Sequence, residues 1–276
     1  STGSGVAWEA AGGGVTFKEG GTNFTNSLMV GDDATGTLDN AQKNTALGID
    51  VFAALTTGDN NVAVGFEALK ANTTGSGNTS LGGSSLVANT TGASNVAVGT
   101  DTMGSNTEGA TNTAVGLSAL YANTTGSNNI AIGHDSLRFN TTASGNTAVG
   151  KKALYSTTTS GNNTAVGFQA GDAITTGDQG TYIGQDAGGA GTTGSNTAVG
   201  AVALTTQILG TRNTAIGYGA MQLAGGDGAS NLLVNNTAVG HQAMYNHDKD
   251  DCTAVGMQSL FTMTTGTRNV AVGGGA

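Results

Sequence analysis

Proline is absent from this chain of 276 residues, cysteine occurs once, and aromatic and charged residues make up only 5% and 10% of it. The single cysteine, Cys252, excludes an intrachain disulfide and leaves the redox compartment unassigned. No apolar run approaches the roughly 20 residues of a membrane-spanning helix, so we expect no membrane insertion. The formal net charge is -9, and no basic cluster would track a phosphate backbone, which argues against nucleic acid as a partner.

Glycine, in contrast, is abundant, with 48 residues, and it marks a repeat. A five-residue motif typified by Asn112 to Gly116 (Asn-Thr-Ala-Val-Gly), here called the rung, returns at a period of nearly always 17 residues. Such a period predicts a solenoid, in which each coil buries apolar surface only against its neighbours. The sequence therefore predicts an all-β fold, a parallel β-solenoid or β-roll of about 15 coils. The glycines that close the rungs are Gly31, Gly48, Gly65, Gly82, Gly99, Gly116, Gly133, Gly150, Gly167, Gly184, Gly200, Gly217, Gly240, Gly256 and Gly273.

Side chains within a rung alternate as they would along a strand. The fourth rung position is aliphatic in the copies compared, and it predicts a buried aliphatic stack with the second position on the same face. Members of this stack include Val64, Val98, Val115, Ile132, Val149 and Val166. The third position is nearly always alanine, which predicts a crowded opposite face, packed against the other wall of the coil or a second chain.

The asparagine that begins each rung predicts a ladder of side-chain amides that satisfies backbone groups at a corner of the coil. Its members include Asn61, Asn95, Asn112, Asn129, Asn146 and Asn163, and the ladder is interrupted at Gly180 and Cys252. After the rung glycine, pairs such as Ala68-Leu69 predict a second short strand, and Asn-Thr-Thr-Gly predicts a closing turn. The sequons at Asn72, Asn89, Asn123 and Asn140 coincide with that turn, so turn chemistry explains them without glycosylation.

Two segments depart from the repeat. Residues 1–25 carry the only tryptophan and predict a cap or a joint to a preceding domain, whereas residues 26–276 form the repeat domain. An insertion and an irregular coil at residues 222–251 are the best candidate for a specific contact, because loops on a rigid scaffold commonly carry recognition.

The rungs at residues 60–65, 128–133 and 195–200 resemble the Asn-Ser-Val-Ala-Ile-Gly repeat of trimeric autotransporter adhesin heads, which are left-handed parallel β-rolls of three chains. The longer repeat, together with Phe-Lys-Glu-Gly-Gly-Thr-Asn-Phe at residues 17–24, resembles shaft segments of tail fibres from tailed phages. The likeness covers residues 26–273. It implies an extracellular homotrimeric fibre on a virion or cell surface, with a host-surface receptor or glycan as partner.

Groups for catalysis or metal binding are sparse. Acids share one column two residues after the rung glycine, but Lys152 and three glutamines occupy the same column, so we expect a solvated acidic stripe, no enzyme and no cofactor. The acids are Asp50, Glu67, Asp101, Asp135 and Asp186. His134 and His241 lie several coils apart, too far for one ion. The densest charge cluster contains the weak metal candidates Asp248, Asp250 and Asp251, for which calcium is the fitting ion, and a solvated turn is the alternative.

These features favour a structural fibre, a homotrimer whose chains meet at the alanine face. The alternative is an extracellular filament of solenoids stacked end to end, because the sequence stops just after a rung and an open coil exposes unpaired backbone. Ice binding would need a flat outward array of threonines. We expect the second rung position to be buried, and it is interrupted by Val62, Val96, Ile130 and Val270. A solenoid glycan hydrolase would need clustered acids.

Overall fold

The computed structural model describes residues 16–21, 24–31, 39–189, 194–206, 210–224, 233–263 and 265–275. Over these residues the fold is an all-β parallel β-solenoid with a 17-residue period, about 13 turns and no helix. The predicted fold class and period are confirmed. The number of turns is lower than the number of coils predicted from the rung glycines. The chain divides into two compact units between Asn129 and Ile130.

In the first unit, β1 (Thr16–Gly21) pairs antiparallel with β2 (Phe24–Gly31), and β2 pairs in parallel with the two strands that follow it. The remaining strands are β3 (Ala41–Gln42), β4 (Thr45–Gly48), β5 (Val62–Val64), β6 (Thr79–Leu81), β7 (Val96–Val98) and β8 (Thr113–Val115). From β4 onward each strand is a rung paired in register with the next. Residues 1–15 lie outside the described residues, and the assignment of residues 1–25 as a cap or joint stays a prediction.

The second unit repeats this arrangement with parallel rungs in register. The rungs are β9 (Ile130–Ile132), β10 (Thr147–Val149), β11 (Thr164–Val166), β12 (Thr181–Ile183), β13 (Thr197–Val199), β14 (Thr214–Ile216), β15 (Thr237–Val239), β17 (Thr253–Val255) and β19 (Val270–Val272). Two short strands, β16 (Asn246–His247) and β18 (Thr262–Met263), pair in a separate sheet. Register pairing turns every rung position into a column along its unit.

The interior of the coil is lined by the third rung position, which is alanine in most rungs. Ala63, Ala114 and Ala148 are fully buried, and Leu69 and Leu154, from the wall opposite the rungs, are fully buried as well. The alanine face therefore packs against the other wall of its own chain, which was the first of the two predicted partners. A narrow coil has room for a larger side chain on one wall only, so the rung contributes a small one.

The predicted burial of the fourth rung position is wrong. Leu47 and Leu81 are exposed to 51% and 48%, Ile132 to 40%, and the second position, as in Val62, is exposed as well. Val64, Val98, Val115 and Val149 are half-buried and Val166 is exposed, all on the outer face of the rungs. Side chains alternate with the same period on both faces of a strand, so the pattern does not show which face is inside. The prediction placed the larger aliphatic side chain inside, but most rungs have room there only for a small one.

The wall opposite the rungs is not the predicted second strand in most coils. Its residues alternate into the left-handed region, with φ of 58° at Glu67 and 51° at Leu69. Because φ alternates in sign, N–H groups of this wall point to both neighbouring coils. The Glu67 N–H donates to Ile49 O of the preceding coil (2.9 Å). The Leu69 N–H donates to the following coil, at Ser85 O (3.1 Å). Among the described residues of this wall, strand pairing occurs only at β16 and β18.

The rung asparagines lie at the corner where the sequence placed them, and their amides are buried. The Asn78 N–H donates to Asn61 Oδ1 (2.9 Å), the Asn95 N–H donates to Asn78 Oδ1 (3.0 Å), and Asn61 Nδ2 donates to Gly75 O (2.9 Å). Asn112 and Asn129 continue the series in the first unit, and Asn146 and Asn163 form it in the second. Each amide thus satisfies one donor and one acceptor of the backbone.

The ladder persists where its asparagine is replaced. The Gly180 N–H still donates to Asn163 Oδ1 (2.7 Å), and the Cys252 N–H to Asn236 Oδ1 (2.9 Å). Only the hydrogen bonds of the asparagine side chain are lost at these positions. The backbone N–H remains as a donor, because it does not depend on residue type. Cys252 is fully buried in the inward slot.

A second asparagine ladder was missed by the sequence reasoning. Asn89 Nδ2 donates to Asn72 Oδ1 (2.9 Å), and Asn106 and Asn123 continue the stack at 2.7 Å each. These residues, with Asn140, are fully buried, so the sequon amides are inaccessible as the turn interpretation requires. The signal was present in the sequence, since asparagine recurs in this turn at the same period as in the rung.

Candidate functional site

The outer rung face is a regular surface that continues along each unit. We define it as the second and fourth positions of the rungs, whose side chains point away from the interior. In the first unit its exposed members include Leu47, Val62, Leu81 and Val96. Because the rungs are in register, these side chains form two continuous columns at the strand spacing of about 4.8 Å.

A third column extends this face on one side. It consists of the residue after each rung glycine, and Phe66 and Leu117 are exposed there in the first unit. In the second unit the same column presents Phe168, Tyr218 and Met257, the last exposed to 60%. Polar residues such as Thr100 and Gln185 separate these side chains, so the column adds isolated apolar patches beside the aliphatic fourth rung position. Exposed apolar surface that continues from rung to rung, as at the fourth position, is uncommon on monomeric soluble proteins and marks interaction sites.

Threonine dominates the second rung position of the second unit and faces outward, not inward as predicted. From β10 to β17 the in-register residues are Thr147, Thr164, Thr181, Thr197, Thr214, Thr237 and Thr253, each partly exposed. The fourth position beside them is valine or isoleucine. The predicted burial of these threonines, which spoke against ice binding, is therefore wrong for this unit.

The acidic column lies on the wall opposite the rungs and is interleaved with cations. Lys70 Nζ contacts Asp50 Oδ2 (3.1 Å) and Glu67 Oε1 (2.7 Å). The hydrogen bonds to Glu67 and then Asp50 raise the pKa of Lys70. Asp135, nearly buried, pairs with Arg138 and lies 3.4 Å from His134. The side chains run along the column without converging on one point, which is the arrangement of a structural stripe and not of an acid–base pair.

Aspartates of the predicted metal cluster are directed to different partners. Asp250 Oδ1 accepts from the Val234 N–H (2.9 Å), Asp251 Oδ1 accepts from Asn235 Nδ2 (2.9 Å), and Asp248 pairs with Lys249 (3.2 Å). Asp59 Oδ1 makes the equivalent bond to the Gln42 N–H (2.7 Å), so the position of Asp250 is a recurrent turn cap. No group of three or more His, Cys, Asp or Glu side chains suited to a metal ion is found among the described residues.

The three histidines occupy unrelated environments. His134 is part-exposed beside Asp135, and the His241 ring stacks on Tyr218 with centroids 5.5 Å apart. His247 is fully buried in β16, and its Nε2 lies 2.7 Å from Lys249 O while Nδ1 has no partner in the described part of the chain. Residues 225–232 of the irregular region lie outside the described residues, so the predicted contact at 222–251 stays a prediction.

Acid should destabilise the second unit through His247. Burial lowers the pKa of His247 below the ordinary value of 6.5, although the Lys249 carbonyl and then Asp248 and Asp250 oppose this, with Lys249 adding to the lowering. As the pH falls, the unfolded chain therefore takes up the proton before the folded chain does. The stabilisation of the fold by neutral His247 is complete above pH 6.5 and is lost as the pH falls from there toward the folded pKa.

The check is the thermal midpoint measured from pH 8 to pH 5 for the wild type and His247→Gln, with His241→Gln as the exposed control. We expect the drop in midpoint below about pH 6.5 to be smaller in His247→Gln only. An identical pH profile for all three proteins would contradict the assignment.

No helix among the described residues has the length and apolarity to cross a membrane. Comparison with protein-family models, with curated proteins and with solved structures gave no match to this chain.

Proposed function

We propose that this chain is a structural segment of an extracellular attachment fibre, a phage tail fibre or a cell-surface adhesin, and that it assembles as a homotrimer through the outer rung face. The observation that carries the proposal is the aliphatic fourth position of that face, which is exposed or half-buried in each rung and continuous over the rungs of each unit. Burying it against two further copies would remove it from water at a gain of about 25 cal/mol per Å². The alanine face cannot serve this purpose, because it is enclosed within its own coil.

The repeat itself supports a structural role. Each coil is fixed by backbone bonds to its neighbours and by buried asparagine amides, so a unit is rigid and extends by one strand spacing per coil. Many of the described carboxylates are held in turn caps and ion pairs, and the acidic column does not converge on one point. A stiff repeated surface suits a protein that presents a contact at a distance from its anchor, and we assign attachment to a host or other surface as its role.

The proposal is tested by the native mass of the chain, measured by size-exclusion chromatography with light scattering. We expect three times the chain mass of 26.8 kDa. The double variant Leu47→Lys/Leu81→Lys should dissociate to folded monomers, because it places charges in the apolar contact. The control Thr74→Lys/Thr91→Lys adds the same charge at exposed turn positions of the same unit and should remain trimeric. A monomeric wild type would refute the proposal.

Ice binding is the second candidate, favoured by the seven outward threonines of the second unit. A flat, regular array of hydroxyl and methyl groups is a surface on which water can order, but the same face cannot be buried in a trimer and bind ice. A monomeric chain with thermal hysteresis that Thr197→Lys/Thr214→Lys abolishes would replace the fibre proposal. A trimer without hysteresis would eliminate this candidate.

A further inference from the structure

Basic residues are scarce in this chain, yet a third of them lie close together in one part of the second unit. Lysine and arginine number nine against 18 acids, and Arg138, Lys151 and Lys152 fall in two consecutive coils. Two aromatic residues, Phe139 and Tyr155, lie in the same two coils. We call Arg138, Phe139, Lys152 and Tyr155 the basic–aromatic patch, which Lys151 adjoins.

The four side chains of the patch contact one another. The rings of Phe139 and Tyr155 meet edge to face with centroids 5.0 Å apart. Arg138 Cζ lies 5.8 Å from the centre of the Phe139 ring, and Lys152 Nζ lies 5.1 Å from that of Tyr155. Phe139 is exposed to 43%. The patch therefore presents apolar ring surface and positive charge together to solvent.

The backbone beneath the patch is fixed by the solenoid. The Phe139 N–H donates to Tyr155 O (3.3 Å), the Lys152 N–H to His134 O (3.0 Å), and the Leu154 N–H to Ala170 O (3.0 Å). The patch lies on the wall opposite the rungs, so burial of the outer rung face in a trimer leaves it open. A contact held on such a scaffold loses little conformational entropy when a ligand binds.

Charge in the patch is not neutralised equally at its two cations. Arg138 pairs with Asp135, whereas Lys152 has no carboxylate within salt-bridge distance among the described residues. Its ammonium group is held over the Tyr155 ring. Asp172 in the next coil is bonded to Gln169 (3.1 Å) and not to Lys152. An anionic ligand can therefore pair with Lys152 without breaking an ion pair among the described residues.

We propose that the basic–aromatic patch binds an acidic saccharide, with a sugar carboxylate at Lys152 and a pyranose ring against the exposed aromatic surface. Nucleic acid fits less well, because three cations in a chain of net charge -9 form no track for a phosphate backbone. The inference rests on the proposed attachment function and gives that function a ligand class and a location.

The test is binding of the full chain to immobilised polygalacturonate, with neutral dextran as the reference polymer. We expect binding to polygalacturonate only, and Lys152→Gln should weaken it about tenfold, the loss expected for one charge-assisted contact. Lys70→Gln is the matched control, because it removes the same charge from a lysine that the first unit pairs with Asp50 and Glu67. That variant should bind as the wild type does.

Three outcomes would overturn the proposal: equal binding to dextran, equal loss in Lys152→Gln and Lys70→Gln, or complete competition by single-stranded DNA. Light scattering on the same samples separates this proposal from the previous one. A trimer that ignores polygalacturonate refutes the saccharide site alone, whereas a monomer refutes the fibre assembly.

Discussion

Alanine in place of Gly82 is expected to destabilise the first unit by about 3 kcal/mol or more. Gly82 has φ of +142°, a region that side chains with a Cβ rarely adopt. A Cβ built there would lie 2.4 Å from Gly99 O and 2.6 Å from Gly99 C. Both atoms belong to the backbone of the next rung, so relief requires moving a whole coil.

The adjacent Gly83 provides the control. A Cβ at Gly83 would have no atom within 4 Å, so Gly83→Ala should change the free energy of unfolding by less than about 0.5 kcal/mol. The measurement is urea unfolding followed by circular dichroism for the wild type and both variants. Equal stability of the two variants would contradict the close approach of Gly82 to Gly99.

Tyr182 is expected to show the second large effect, because one side chain fills the space left by three glycines. It occupies the rung position of alanine and is almost fully buried. A Cβ at Gly180 would lie 2.2 Å from its hydroxyl oxygen, and one at Gly188 would lie 2.1 Å from Cδ1. A Cβ at Gly171 would lie 3.1 Å from Cδ2 of the Tyr182 ring. Tyr182→Ala should therefore open a cavity and cost roughly 3–5 kcal/mol.

Restoring the ordinary repeat should recover that loss. Gly171 and Gly188 occupy the column of Leu154, and all three residues have positive φ, so leucine suits that backbone. We expect Tyr182→Ala/Gly171→Leu/Gly180→Asn/Gly188→Leu to regain most of the wild-type stability in urea unfolding. Each substitution to a larger residue made alone should be destabilising, because the ring blocks it.

A smaller variant tests the same site in the opposite direction. The Tyr182 hydroxyl is buried without a hydrogen-bond partner among the described residues, and burial raises its pKa. Tyr182→Phe removes this unsatisfied group and keeps the ring, so it should be neutral or stabilising by about 1 kcal/mol. Destabilisation by Tyr182→Phe would indicate that the hydroxyl has a partner after all, and the cavity argument would then overestimate the packing contribution.

The outward position of Val64 and its equivalents could not be read from the sequence. A strand has two faces of identical period, so alternation leaves open which face is inside. Valine is more hydrophobic than alanine, so hydrophobicity alone would place valine inside. The coil is too narrow for this, because the leucine of the opposite wall leaves room only for a small side chain. For the same reason the threonines of the second rung position were predicted to be buried, although they face outward. Because the alanine face is interior, the proposed contact between chains lies on the outer rung face.

Contacts between coils likewise depended on the fold. The period places Lys70 near the acidic column, but its bonds to both Asp50 and Glu67 follow from the left-handed alternation of the wall opposite the rungs. Nothing in the sequence separates the buried His247 from the other histidines. The meeting of Phe139, Lys152 and Tyr155 required the structure as well, because it depends on where each side chain leaves a wall that is not a strand.

The sequence by itself determined the architecture of this protein, because a repeat of 17 residues closed by glycine allows only coils stacked in register. It determined the rung asparagine ladder for the same reason, since identical residues at a fixed period must lie above one another. Only the tertiary structure decided which face is interior and which residues of neighbouring coils meet. Those outcomes depend on the distance between the two walls of the coil, and that distance is set by packing rather than by the order of residues in any one rung.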